Sequence, residues 1–336
     1  MAAVTAALNP IAFQLGAIQV HWYGIIIASG VVLALVLAVR EGQRLGIPED
    51  DFYDYLLWAI PTAIVCARLY YVAFQWPYYF RHPGEIIAVW DGGIAIYGAI
   101  IGGFITLVVF CCQRHLKLWT MLDVISPTLI MAQGIGRWGN FMNVEAFGSA
   151  TALPWRMCGP TIADYMARNG YVDEAGYEAI LSGTLGVHPT FFYESAWNLA
   201  GLVMTYFMGK KRRFDGQCFL FYVFWYGLGR AWIEGLRTDS LYLYVGSTIR
   251  VSQLLAGLSA LAAGVVLLWA MRKTRNAPME LFVDRLAAQS AQAQTAECTQ
   301  AEGSAPSEAE QEAPASAVPA DEEKQEDPGE TEKREE

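Results

Sequence analysis

The sequence predicts an all-α integral membrane protein of about seven transmembrane helices, with a small outward-facing head segment and a disordered acidic tail. Apolar side chains make up 54% of the 336 residues, too large a share for an ordinary soluble domain of this length. They gather into recurring stretches of about 20 residues, the length that a hydrocarbon core of roughly 30 Å requires. Charge is segregated as well. Of 33 acidic and 23 basic residues, 13 and three lie in residues 301–336, which leaves 20 of each in residues 1–300. The acidity belongs to the tail and says nothing about partners of the main body, where no basic stripe suggests nucleic acid.

The apolar stretches place spans at residues 21–40, 54–74, 94–112, 121–137, 191–208, 218–236 and 251–271. Neither a basic n-region nor an A-x-A site precedes the first, so it is expected to be retained. Lys and Arg accumulate in cytoplasmic loops. Arg40 and Arg44 follow span one, Arg114 and Lys117 span three, Lys210 to Arg213 span five, and Arg272, Lys273 and Arg275 span seven. Those ends are expected to face the cytoplasm. The N-terminus and the head segment, residues 143–187, then face outward. Residues 1–275 form the expected membrane domain. Residues 276–336, rich in Ala, Glu, Pro and Gln, bury too little apolar surface to offset chain entropy and are expected to be disordered.

Six cysteines show no pairing pattern and four histidines are scattered. Neither C-x-x-C nor H-E-x-x-H occurs, so no disulfide framework and no protein-bound metal is expected. The informative feature is charge where it is costly. Arg68, Arg137, Arg230 and Glu234 fall within or at the ends of spans, and such groups face a bundle interior or a wet cavity. Arg230, Glu234 and Arg237 follow i, i+4, i+7 spacing and share one helix face. Arg137 stands in Gly134-Ile-Gly-Arg-Trp-Gly-Asn140. Its glycines are expected to permit turns foreign to a regular helix and to aim backbone amides into a cavity, and Gly227 and Gly229 beside Arg230 to open space there as well. Guanidiniums give planar, bidentate recognition of phosphate and stay charged at low dielectric. Two on different spans imply an anionic ligand. The plainer alternative pairs Arg137 with Glu145 and Arg230 with Glu234 as helix fasteners.

The stretch Gly136-Arg-Trp-Gly-Asn-Phe-Met-Asn-Val-Glu-Ala-Phe-Gly148 resembles the long glycine-rich motif of the prolipoprotein diacylglyceryl transferase family. Further elements match that family in order: His21-Trp-Tyr-Gly24, Trp90-Asp-Gly-Gly93, His188-Pro-Thr-Phe-Phe-Tyr-Glu194, and Tyr226-Gly-Leu-Gly-Arg230 followed by Glu234 and Arg237. The resemblance spans roughly residues 10–272. It implies a multi-pass enzyme of the bacterial inner membrane, needing neither cofactor nor metal. The implied reaction moves the diacylglyceryl group of phosphatidylglycerol to the lipobox cysteine of a prolipoprotein, giving a thioether and releasing glycerol phosphate.

In that reaction the nucleophile is the substrate's, and no Cys or Ser arrangement here competes for the role. Arg137 and Arg230 are the candidates for stabilising the leaving phosphate. Glu234 and Arg237 join them in lipid binding. Some family members have a histidine where this chain has Tyr97, and a phenol of pKa near ~10 is mostly neutral, so Tyr97 is expected to hydrogen-bond rather than act as base. Glu145 is the candidate base. Asn140 and Tyr23 are expected to hydrogen-bond the headgroup, and Gly148 to allow close backbone approach. A transporter would also use intramembrane arginines, but seven spans do not divide into two equal inverted repeats.

Overall fold

In a computed structural model the described residues are 4–5, 9–16, 18–238, 250–276, 279–289 and 291–292. Most of the expected disordered tail, residues 293–336, lies outside them. Among the described residues the helices are, in order, α1 (Trp22–Gln43), α2 (Glu49–Phe74), α3 (Trp76–Tyr79), α4 (Ile96–Gln113), α5 (Leu118–Met142), α6 (Pro160–Arg168), α7 (Glu174–Leu181), α8 (Thr190–Lys210), α9 (Gln217–Ile233) and α10 (Val251–Lys273), with a further helical stretch over residues 282–289. Five of these, α1, α2, α4, α5 and α10, are long and apolar enough to cross a membrane. The fifth and sixth expected spans correspond to α8, which buries Glu194, Asn198 and Thr205, and to α9, which has 17 residues.

The long helices have their apolarity turned outward. In α1 the buried positions are Gly30, Ala38 and Gly42, whereas Val32, Leu33 and Val36 are exposed. On α2 and α10, Leu57 and Leu261 are 70% and 65% exposed. Apolar surface on this scale suits lipid as the surrounding medium, and small residues inside let helices approach closely. Helix α2 packs chiefly on α4, α1 on α5, α5 on α8, and α9 on α10. At the α2–α4 contact a Cβ on Gly98 would stand 2.4 Å from the Cys66 carbonyl oxygen and 2.7 Å from the Ala67 Cα.

Basic loops collect at one end. Arg114 pairs with Asp51 at 3.5 Å and with Asp54, tying the end of α4 to the start of α2. Lys117 reaches Asp215 at 2.9 Å and Arg212 reaches Asp123 at 3.2 Å, tying the start of α5 to the α8–α9 turn. At this end the chain differs from the expected disordered tail. Residues 282–289 are helical, and the segment docks through Met279 N to Arg213 O at 3.1 Å and Phe282 N to Asp215 Oδ2 at 3.1 Å. Main-chain donors and one buried carboxylate fix it where composition suggests none would.

The opposite end is not all helix, contrary to the expected fold class. Strands β1 (Val4–Thr5), β2 (Ile11–Leu15), β3 (Ile18–His21), β4 (Ala150–Thr151), β5 (Met157–Cys158) and β6 (Gly186–Val187) form two small sheets. β2 and β3 pair antiparallel before α1, and the other sheet runs β1-β5-β6-β4. Over residues 143–187 this sheet and helices α6 and α7 enclose a core that includes Val144, Phe147, Met157, Ile162, Met166, Ile180 and Val187. Burial raises the Cys158 thiol above its ordinary pKa, and its Sγ donates to Leu185 O at 3.1 Å, an inert rather than nucleophilic setting.

Because the atoms facing Gly98 are main chain or, at Tyr70, the Cβ fixed to it, Gly98→Ala is expected to destabilise the protein by about 1–3 kcal/mol. A lowered apparent unfolding temperature in detergent is the readout, and an unchanged one would disprove the tight α2–α4 contact.

Candidate active site

Guanidiniums from α5, α9 and the stretch after α9 meet on one carboxylate of α8. Glu194, its side chain 5% exposed, pairs through Oε2 with Arg137 Nη2 at 2.6 Å, and through Oε1 with Arg230 Nη1 at 3.3 Å and Arg237 Nη1 at 3.5 Å. Arg230 Nη2 also reaches Glu234 Oε2 at 2.5 Å, one helical turn along. Ser252 of α10 donates its hydroxyl to Glu234 Oε1 at 2.8 Å. Arg137 and Arg230 therefore converge on one acid; Arg230 also keeps the Glu234 pairing of the plainer alternative, whereas the partner of Arg137 is Glu194 where Glu145 was the alternative.

Two indoles fix α8 against α9 beside this cluster. Trp197 and Trp225 stack with centroids 4.2 Å apart. Each Nε1 donates to the other's main-chain oxygen, at 3.0 and 2.9 Å. The contact needs glycines: a Cβ on Gly201 would lie 2.5 Å from the Trp225 ring, and one on Gly229 2.4 Å from the Trp197 Nε1. Gly227 likewise admits the Ala256 carbonyl, 2.7 Å from where its Cβ would be. The expectation that glycines beside Arg230 open a cavity is thus corrected, since neighbouring side chains and backbone fill the space.

Residues 134–140 also differ from expectation. They continue α5 as helix to Met142, so their main-chain amides close the helical ladder instead of pointing into a cavity. Gly139 receives the Tyr23 ring, whose Cδ2 would be 2.8 Å from an added Cβ. The irregular backbone comes just after. Val144 and Ala146 have φ of 52° and 56°, a left-handed conformation costly for residues with a Cβ, above all a β-branched one. It is held by Val144 N to Phe141 O at 3.0 Å, Glu145 N to Asn140 O at 3.0 Å, and the Thr190 hydroxyl donating to Ala146 O. This turn folds Glu145 back, so that its Oε1 accepts from Asn140 Nδ2 at 2.9 Å and Asn143 Nδ2 at 3.3 Å. Arg137 Nη1 donates to Asn140 Oδ1 at 3.5 Å, which completes a chain from Arg137 through Asn140 to Glu145.

At Gly148 the backbone of another segment comes close. A Cβ there would meet the His188 Cβ at 2.7 Å and the Leu236 carbonyl oxygen at 3.0 Å. Gly148 bridges Arg237 antiparallel, and Ser149 N donates to Leu236 O at 2.7 Å. Its smallness brings the head segment against the backbone that carries Arg237. Tyr97, at the start of α4, is 46% exposed and lies against Tyr70 with centroids 6.4 Å apart. Among the described residues no hydrogen bond or ion pair joins it to Arg137, Arg230 or Glu194.

Arg68 belongs to α2 and not to the cluster. It is buried and donates to the carbonyls of Glu85, Ile86, Gly92 and Gly93 at 2.6, 2.8, 2.7 and 2.7 Å, with Tyr79 stacked beneath at 5.2 Å. Carbonyl dipoles compensate this cation, which clamps the loop leading to α4 and lines a cavity of about 410 Å³. Another cavity of about 320 Å³ runs between α1, α5 and α8. It is lined by Ile26, Ile130, Ile135 and Leu199 and also by Gly134, Trp138 and Ser195, next to Arg137 and Glu194 in the chain. Sequence reasoning passed over Glu194 as a site residue although it closes the His188–Glu194 motif. Ser252 carried no signal. Among the described residues no group of His, Cys, Asp and Glu is arranged to hold a metal ion.

Residues 10–270 match the family model for prolipoprotein diacylglyceryl transferase. The chain is 56% identical over 277 residues to a phosphatidylglycerol–prolipoprotein diacylglyceryl transferase of Limosilactobacillus reuteri, covering 82% of this chain and 95% of that one. It is 48% identical over 278 residues to the protein so named in Lactiplantibacillus plantarum (82% and 94%), and 44% identical over 269 residues to that of Bacillus licheniformis (80% and 95%).

His188, beside Gly148, has its pKa lowered from 6.5 by burial, so the folded state favours the neutral ring. That preference costs nothing above the unfolded value. As pH falls from about 6.5 through the lowered folded value, the unfolded chain binds the proton first and stability is lost. The apparent unfolding temperature should drop between about pH 7.5 and pH 5, and drop less in His188→Gln; equal slopes would clear His188 of the acid sensitivity.

Proposed function

The chain belongs to the prolipoprotein diacylglyceryl transferase family, and on that premise we propose that it moves the diacylglyceryl group of phosphatidylglycerol onto the lipobox cysteine of a prolipoprotein. The sulfur bonds to the glycerol carbon as the carbon–oxygen bond to phosphate breaks. The electron pair leaves on glycerol phosphate, and the thiol proton passes to a base. The protein is asked for charge stabilisation and alignment, since the nucleophile arrives with the substrate.

The observation that carries this reading is the convergence of Arg137, Arg230 and Arg237 on one point. Bidentate guanidiniums there hold the phosphodiester of the lipid head and stabilise the leaving oxygens as they gain charge. Glu234 steadies Arg230 from one turn away. Asn140 orients Arg137 and Glu145 together, and Glu145, exposed at the surface, is placed to take the thiol proton. Tyr23, lying on Gly139, offers its hydroxyl to the headgroup. Gly148 acts by seating Arg237. The apolar cavity between α1, α5 and α8 suits an acyl chain.

In the bilayer, α8 and α9 complete seven spans, with the basic loops in the cytoplasm and the N-terminus and head outside. The bacterial inner membrane supplies both substrates laterally, one a lipid and the other a signal-peptide helix. No cofactor or metal takes part. Tyr97 serves as a hydrogen-bonding group for the substrate, outside proton transfer.

The direct test incubates the purified protein in detergent with phosphatidylglycerol and a lipobox peptide and reads the peptide mass. A diacylglyceryl adduct should appear, and none when the cysteine is serine. Arg137→Ala and Arg230→Ala should each lower transfer by about a hundredfold or more in a folded protein; near-normal turnover in either would remove that arginine from the mechanism. Tyr97→Phe should keep transfer within about tenfold of the parent, the scale of one hydrogen bond. Collapse of turnover with lipid binding intact would instead make the phenol a proton carrier.

A further inference from the structure

Glu194 is the least expected member of the site. The point where the three guanidiniums meet is occupied by a carboxylate, which they grip through both oxygens. The carboxylate is not incidental, because the stacked Trp197–Trp225 pair fixes its helix and its side chain is 5% exposed. Without it, like charges on α5, α9 and the following stretch would repel one another at low dielectric.

We propose that Glu194 is a positioning residue, a built-in counter-ion that gathers the three arginines and limits how tightly the anionic product is held. The inference rests on the transfer reaction proposed above. Its physical basis is a difference in charge between substrate and product. A phosphodiester headgroup carries one negative charge, whereas the released phosphate monoester carries close to two near neutral pH. A site of three guanidiniums alone would therefore favour the product over the substrate. The carboxylate lowers the positive charge where the phosphate sits, and this weakens the hold on the dianion more than the hold on the monoanion.

The test compares the full-length protein with Glu194→Gln and Glu194→Asp in detergent, with phosphatidylglycerol, a lipobox peptide and added glycerol phosphate. Glu194→Gln should be inhibited by glycerol phosphate at about tenfold lower concentration, as expected for the loss of one close charge. It should also turn over more slowly after a first equivalent of product, with KM for the lipid unchanged or lower. Glu194→Asp keeps the charge and shortens the arm, so turnover should fall while product inhibition stays at the parent level. Unchanged product inhibition in the Gln variant, or strengthened inhibition in the Asp variant, would overturn the proposal. Should the Gln variant not fold, the Asp arm still decides. Transfer by the parent protein is the separate control, and its absence would sink the reaction itself and not the role of Glu194.

Discussion

A charge inside an apolar bundle is tolerated only when other groups meet it, and the ion cluster around Glu194 is where this chain satisfies that condition. Two oxygens face three guanidiniums drawn from α5, α9 and the segment beyond. Neither side could be buried alone without a desolvation penalty of several kcal/mol. The surrounding architecture serves this meeting. Paired indoles lock α8 to α9, Gly148 brings the head segment against the backbone of Arg237, and a strained turn at Val144–Ala146 returns Glu145 to Asn140. Backbone strain persists at such a place because the contacts around it over-determine the conformation.

The α2–α4 pair follows the same rule with different partners. Arg68 is more deeply buried than the arginines of the cluster but meets four carbonyls and the face of Tyr79. Its role is architectural: it fixes the loop through Gly92 and Gly93 that hands the chain to α4. Arginines in one bundle thus divide by what answers them. Those of the cluster meet side-chain carboxylates, whereas Arg68 meets main-chain dipoles and cannot leave without unmaking a loop.

The long helices were legible because apolar runs of bilayer length are a strong signal, and the five helices long and apolar enough to cross a membrane lie where those runs predicted. Arg137, Arg230, Glu234 and Arg237 were legible for a related reason, since charge in an apolar run is conspicuous. Glu194 was not, because three carboxylates could have served Arg137 and sequence separation does not rank Glu145 against a residue on another helix. The glycines misled for a physical reason. A missing Cβ permits either an unusual turn or a close neighbour, and only packing decides; at Gly139, Gly227 and Gly229 it chose the neighbour. Strands of two residues, such as β4 and β6, are too short to show an alternating pattern.

The basic end of the bundle has a further consequence. Arg114, Lys117 and Arg212 are neutralised there by Asp51, Asp54, Asp123 and Asp215, yet acidic residues weigh little when a nascent segment is oriented in the bilayer. With the orientation proposed above, the same cations act twice, first as bare topogenic signals during biosynthesis and then, once the helices have assembled, as rivets between them.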